Sequence, residues 1–450
     1  MSMKTQTKRT GRHGWSRAEK ALVGVGGALT VFAGAAFLVW QNANAQPAVK
    51  IPPPLPLPNP NGYDFYVRAA NLAQTTNISQ GGPKFVVQQL GRPATRAEED
   101  AELASNALAL KTLRGGFAFP SRQKANRSFT SPFPEYAKLR GLARLLAFEA
   151  RVKSARGNHA GAVNSGLDAL RLSEDLPRGS MLISELVGIA IGAIGRQPLW
   201  KETDFLSAGE ARAAARRLEA IRARHVPYAD VLTEEKWGMQ VGLADEFRKK
   251  STAQVVRDLS GGFGGNAGAG GMREWLQTVG LQTRTLLTSK RRILQDNAAH
   301  MDALIADARQ PYARRGPVPP RPGDPVNQAV VPIFSQARLM DVNHQTANAL
   351  LTAVFGLRAY RAERGVYPAR LDELVSAGYL SKVPDDPCAP SGPVRYRLLP
   401  GGKKYLLYSV GADGKDDNGR PVNNPLRGRF PKRGMSENDK GDFVVGVNAF

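Results

Sequence analysis

The chain has 450 residues, a formal net charge of +23 and one cysteine. Its length allows two or three domains with a sizeable core. The lone cysteine excludes an intrachain disulfide framework, so the fold must stand on apolar burial. An excess of 62 Lys and Arg over 39 Asp and Glu points to polyanionic partners such as phospholipid headgroups or anionic wall polymers. No Lys/Arg run interleaved with aromatics marks a specific nucleic-acid groove.

Residues 1–20 form a basic tail with Lys4, Lys8, Arg9, Arg12, Arg17 and Lys20. Residues 21–40 carry no charge and are long enough to cross the ~30 Å hydrocarbon core as a helix. The positive-inside rule keeps the tail in the cytoplasm and exports the rest, giving a single-pass protein of a bacterial inner membrane. Ala43-Asn44-Ala45 has the small-x-small form of a cleavage site, so secretion after cleavage near Ala45 is the alternative. Both readings place the bulk of the chain outside the cytoplasm. Residues 46–62 are proline-rich and predict an extended, semi-rigid spacer.

Residues 63–313 read as an α-helical domain. Thr95 and Glu98 predict a capping box. Tyr136, Leu139, Leu142, Leu145, Leu146 and Phe148 form an apolar stripe at helical spacing. Gly157-Asn158 breaks the chain, and Ala160 to Leu172 restarts it. This helical hairpin loosely resembles a tetratricopeptide-type pair, although the 34-residue period is not sustained. Further helices are expected over 181–199, 207–224, 228–250 and 272–309. The first is apolar and Gly-rich but too short to span comfortably, so it reads as a buried helix. Its Glu185 is expected to face an arginine such as Arg196 or Arg151. The Gly-rich stretch 260–271 lacks the Gly-Lys-Ser/Thr ending of a phosphate loop and reads as a flexible linker. A breaker rich in Pro and Arg occupies 314–327.

Residues 328–450 predict a small α+β domain. A long helix runs from Phe334 to about Arg364, with Gly365 as its stop. Strands follow at 394–398 and 404–410 around Pro400-Gly401-Gly402, and again at 442–448. Cys388, between prolines, reads as a bystander rather than a nucleophile. No His-Glu-x-x-His zinc motif, Gly-x-Ser-x-Gly elbow or Cys/His pairing points to an enzyme. The fold class is therefore mainly α, built of helical hairpins, with a small C-terminal α+β domain and one N-terminal membrane helix.

The C-terminal motifs follow one another in a recognisable order. They are Tyr360-Arg-Ala-Glu-Arg-Gly-Val-Tyr-Pro368, Leu371-Asp-Glu-Leu374, Val383-Pro-Asp-Asp-Pro387 and Leu407-Tyr-Ser-Val-Gly-Ala-Asp-Gly-Lys-Asp-Asp417. Over about residues 340–450 the set resembles the C-terminal domain of the major pseudopilin of type II secretion systems, the G-type protein. The resemblance implies a long helix packed on a small antiparallel sheet, with Ca²⁺ in the loop after the last motif. The implied ligands fall on Ser409, Val410 (through its carbonyl), Asp413, Asp416, Asp417 and Asp442; Ca²⁺ takes 6–8 oxygens. The metal-free alternative is a turn in which Asp and Asn cap their own backbone. A basic insert, 420–438, departs from the family pattern. So does the distance between the membrane segment and the pilin-like helix, which argues against polymerisation. The expected function is that of an anchored, non-enzymatic envelope protein with a protein partner. An accessory role in a type II secretion or pilus-like system and an exported enzyme of unknown class are the alternatives.

Overall fold

The computed structural model describes residues 34, 49–73, 94–128, 133–263, 289–331, 334–422, 437 and 439–447. The expected membrane helix (apart from Gly34), the basic tail and most of the basic insert lie outside these residues, as does 272–288 of the expected 272–309 helix. The protein is mostly helical, with one small antiparallel sheet of three strands.

Local sequence explains where the helices begin. The first, α1 (Gly62–Leu72), is capped by Asn61, whose side chain accepts from the Tyr63 amide. α2 (Arg96–Ser105) opens on the Thr95/Glu98 capping box, which satisfies two amides that a helix start leaves orphaned. α3 (Ala107–Gly116) follows directly. α4 (Pro134–Ala155) and α5 (His159–Asp175) form the hairpin. Its turn uses Gly157 at φ +77°, a region glycine enters without penalty, and Asn158 then caps α5 through the Gly161 amide. α6 (Leu182–Glu202) and α7 (Ala208–Arg222) come next, the latter opened by a Ser207/Glu210 capping box. The remaining helices are α8 (Tyr228–Lys249), α9 (Thr252–Phe263), α10 (Lys290–Ala308), α11 (Pro325–Val330), α12 (Phe334–Arg364) and α13 (Asp372–Ser376). Ser260–Phe263, the start of the Gly-rich stretch, forms the last turn of α9, and the rest of the expected linker, 264–271, lies outside the described residues.

The chain divides into two compact units. Of the described residues, the smaller comprises 34, 244–263, 289–295 and 323–329. In it Lys290 donates to the carbonyls of Phe247 (2.6 Å) and Lys250 (3.1 Å), and Asn327 donates to Ile293 O at 3.0 Å.

The larger unit comprises 49–243, 296–322 and 330–450. One apolar cluster joins α1, α3, α4 and α5 through Tyr66, Leu113, Leu139, Leu142, Leu146 and Leu172. A second runs from α5, α6 and α7 through α12 into the sheet, including Leu167, Leu199, Leu218, Phe355, Tyr379 and Leu407. A third joins α8, α10 and the start of α12 through Leu232, Met239, Met301 and Phe334. Each such side chain contributes roughly 1.5–3 kcal/mol when fully buried. The apolar core is thus continuous from the helical hairpin to the C-terminal sheet. α6 and the short 3-10 turn that follows it, together Leu182–Phe205, are long and apolar enough to cross a membrane by composition, but here α6 packs on α4, α5 and α12.

β1 (Arg395–Leu398), β2 (Tyr405–Ser409) and β3 (Phe443–Val444) are antiparallel in the order β1-β2-β3. Tyr396 lies opposite Leu407, and Ser409 opposite Phe443. The β1–β2 turn carries Gly401 and Gly402 at φ +84° and +67°, where a side chain would be strained.

Candidate functional site

α12 is buried on nearly every face, although Asp341, His344, Gln345 and Asn348 interrupt its apolar sequence. Their spacings of three and four residues set them on one side of the helix. That side meets Glu174 near the end of α5, Glu185 and Arg196 on α6, and His225 just beyond α7. The result is a buried polar cluster in the middle of the larger unit.

Glu174 is its hub. Its Oε1 accepts from His344 Nε2 (2.9 Å) and Asn348 Nδ2 (3.1 Å), and its Oε2 accepts from His225 Nδ1 (3.2 Å). Burial would raise this carboxyl, but the bonds from His225 and His344 overcome burial and bring it down to about 2. His225 Nε2 lies 3.5 Å from Asp341 Oδ1. Nδ1 is hydrogen-bonded to Glu174 and Nε2 faces the charge of Asp341, a setting that favours the imidazolium. Burial opposes that charge, but Asp341 and Glu174 raise His225 to about 9.

Arg196 closes the other side. Its Nη1 donates to Asn348 Oδ1 at 2.8 Å and sits 3.4 Å from His344 Nδ1. A guanidinium can only donate, so His344 presents the lone pair of Nδ1 to it and donates from Nε2 to Glu174. Burial lowers Arg196 to about 10, against the opposing pull of Glu174.

Glu185 does not face an arginine. Arg196 lies eleven residues further along the same helix, about 16 Å of rise away. Arg151 instead lies over the Phe148 ring and pairs with Glu99. Glu185 meets Asp341 instead. Burial and the charge of Asp341 push Glu185 well above its ordinary value, and burial pushes Asp341 up as well. Two carboxyls in one dry site cannot both ionise cheaply, so the pair shares a proton.

Close helix packing makes room for this chemistry. A Cβ at Gly192 would lie 2.2 Å from His344 Cε1, and one at Gly188 would lie 2.8 Å from Ser173 O. Each glycine costs α6 about 1 kcal/mol relative to Ala, in exchange for helix approach that a methyl group would prevent.

The cluster is nearly sealed. Glu174, Glu185, Arg196, Asp341, His344 and Asn348 are all buried. His225 is partly open, with 19% of its side chain exposed, and Gln345 is half-buried. His225 lines a cavity of ≈ 290 Å³ together with Arg122, Arg178, Ser180, Asp230 and Trp237. The arrangement can hold and relay a proton, but it offers no room for substrate at its centre.

The C-terminal loop gathers only part of the expected calcium set. Asp442 Oδ2 accepts from the Gly419 amide (2.6 Å), and Oδ1 from the Asp417 amide (3.3 Å). Asp416 Oδ1 accepts from Tyr408 OH (3.0 Å) and the Asn418 amide (2.9 Å), while Arg395 approaches its Oδ2 at 3.4 Å. Asp413 Oδ1 accepts from the Lys415 amide at 3.1 Å. Ser409 Oγ donates to Asp386 at 2.6 Å, and Val410 N donates to the same carboxylate at 3.0 Å. The Cys388 amide completes the contacts of Asp386 at 3.0 Å. Asp386, which no sequence argument selected, thus organises the end of β2. Among the described residues no group of three or more His, Cys, Asp or Glu side chains is arranged to hold a metal ion. Burial raises Asp442 to about 6, and the nearby charges of Asp416 and Asp417 add to the rise.

Glu185 was the one member of the buried cluster that the sequence singled out, from its charge in an apolar run. The two histidines are separated by more than a hundred residues, and only the i, i+4 pairing of His344 with Asn348 offered a local hint. No family model, curated protein or solved structure matches the chain.

Proposed function

We propose that the protein is a single-pass, membrane-anchored envelope protein whose larger unit is a non-enzymatic binding module outside the cytoplasm. The observation that carries this reading is the uncharged run 21–40 behind a basic tail, which orients the chain by the positive-inside rule. The buried His–carboxylate cluster supports the non-enzymatic part, because its hub residues are closed to a substrate-sized molecule. Partners suited to such a module are an envelope protein and an anionic wall polymer, the latter favoured by the net charge of +23.

Alkaline phosphatase fused after Phe450 should be active in a bacterial host, and green fluorescent protein fused there should be dark. The reverse pair of results refutes the topology.

A second reading, an accessory factor of a type II secretion or pilus-like system, draws support from the C-terminal architecture. α12 packs on β2 of an antiparallel sheet, the arrangement that the pseudopilin resemblance implies. Calcium at the Asp416–Asp417–Asp442 loop is a related proposal, motivated by the raised carboxyl of Asp442. Binding there would require Asp442 to exchange an amide contact for the cation.

A further inference from the structure

Beside the buried cluster, where the ends of α5 and α7 meet the loop after α3, the surface opens into a cleft of ≈ 550 Å³. Four arginines line it: Arg122, Arg171, Arg178 and Arg224. They come from three separate segments of the chain, so the clustering is a product of the fold. Phe117 and Phe119 add flat apolar walls.

One carboxylate balances this group. Asp175, fully buried, accepts from Arg171 Nε at 2.8 Å and from Arg224 Nε at 2.5 Å. Tyr66 OH donates to it as well, at 2.7 Å. Both of its oxygens are therefore occupied. Arg171 and Arg224 are tied into the fold, while Arg122 and Arg178 have no carboxylate partner among the described residues. Arg178 donates from Nη2 to the Arg224 carbonyl at 2.6 Å. The Nε atoms of Arg122 and Arg178 are buried without a hydrogen-bond partner. Three positive charges are thus in excess along the cleft wall, with Arg122 and Arg178 held there by no carboxylate among the described residues. Burial lowers the Arg178 guanidinium, and the charges of Arg224, Arg122 and Arg171 lower it further, with Asp175 alone opposing them.

Unpaired guanidinium groups in a partly dry cleft are costly. An oxyanion that accepts from several N–H groups at once relieves the cost, and arginine's planar fork suits phosphate oxygens. Carboxylate ligands would satisfy fewer donors than a phosphate group. The flat walls add room for an apolar or ring-shaped body behind the anion.

We propose that this cleft is a binding site for a phosphate-type oxyanion, held chiefly by Arg122 and Arg178. The group could be presented by a soluble phosphate compound or by a phospholipid headgroup, since the chemistry read by the arginines is the same. The inference is independent of the anchor, because the soluble-phosphate arm of its test stands in any compartment.

The test uses the full chain in a non-ionic detergent. Inorganic phosphate is titrated against sodium chloride of matched ionic strength, and melting temperature and calorimetric binding are recorded. Phosphate should raise the melting temperature where chloride does not. Arg122→Gln and Arg178→Gln should each weaken phosphate binding about tenfold or more, the worth of a charge-assisted hydrogen bond. Lys403→Gln, at the exposed β1–β2 turn, should leave binding unchanged. Without phosphate, Arg178→Gln trades relief of like-charge repulsion for loss of its bond to the Arg224 carbonyl, so its own phosphate-free melting temperature is the baseline for its phosphate response. If that variant fails to fold, Arg122→Gln carries the test alone.

A second arm measures binding to phosphatidylglycerol vesicles against phosphatidylcholine vesicles. Competition by inorganic phosphate assigns the lipid headgroup to the same cleft. Equal responses to phosphate and chloride overturn the proposal. So does phosphate binding that neither the Arg122→Gln nor the Arg178→Gln substitution diminishes.

Discussion

Replacing Glu174 with Gln keeps the shape of the hub and removes its charge. Arg196 and the His225 imidazolium would then lose their closest anion while remaining buried. Breaking a buried pair by removing one partner costs about 3–5 kcal/mol, and this substitution falls in that class. The pH profile gives an independent measure. His225 is raised to about 9 from an ordinary 6.5, so its contribution is fully present below pH 6.5 and is lost as pH rises through 9. At about 1.4 kcal/mol per unit, that shift corresponds to about 3 kcal/mol. Glu174, lowered to about 2, makes the matching contribution above its ordinary 4.5, lost as pH falls through 2. The two values describe one interaction and are not added. Urea unfolding of the full chain in detergent, followed by tryptophan fluorescence across pH, reads both limbs. In Glu174→Gln the acid limb from this residue disappears. The alkaline limb shrinks and moves to lower pH, because Asp341 alone then supports His225. A cost below about 1 kcal/mol at neutral pH, or an unchanged alkaline limb, refutes the hub.

Glu185→Gln should be tolerated better than Glu174→Gln, because it replaces a carboxyl already driven towards its neutral form; equal losses in urea would contradict the shared proton. Gly192→Ala should lower the melting temperature, since overpacking costs about 1–3 kcal/mol against a helix gain of about 1 kcal/mol. Gly209→Ala, on α7 with open space around its Cβ, should raise it instead. The Cys388 thiol is fully buried, and burial together with the charge of Asp386 pushes it up to about 12. Iodoacetamide should therefore label it only on unfolding, and rapid native labelling would contradict the burial. Saturating Ca²⁺ should raise the melting temperature of wild type and leave Asp442→Asn unmoved if the C-terminal loop takes the cation, whereas identical curves with and without Ca²⁺ would sink that proposal.

Much of the secondary structure was legible locally. The Thr95/Glu98 box, the Ser207 start, the Gly157-Asn158 turn and the Gly401-Gly402 hairpin each act within a few residues, so composition and spacing reveal them. The extent of α12, Phe334–Arg364, was legible for the same reason, with Gly365 as its stop. The polar cluster was not. Glu185 was expected to face Arg196 or Arg151, but helical rise carries the first away along the same helix, and the second turns to Phe148 and Glu99.

What the sequence alone determined was therefore the mainly helical character, most helix starts and the small C-terminal sheet, because caps, periodicity and glycine act through neighbouring residues; it missed the helices at 260–263 and 325–330, whose Gly- and Pro-rich sequence reads as linker. What only the tertiary structure decided was which charges meet. Glu174 reaches His225, His344 and Asn348 across long stretches of chain, Glu185 finds Asp341, and Arg122 joins Arg171, Arg178 and Arg224. Such encounters depend on helix packing through Gly188 and Gly192, and no short-range rule encodes them.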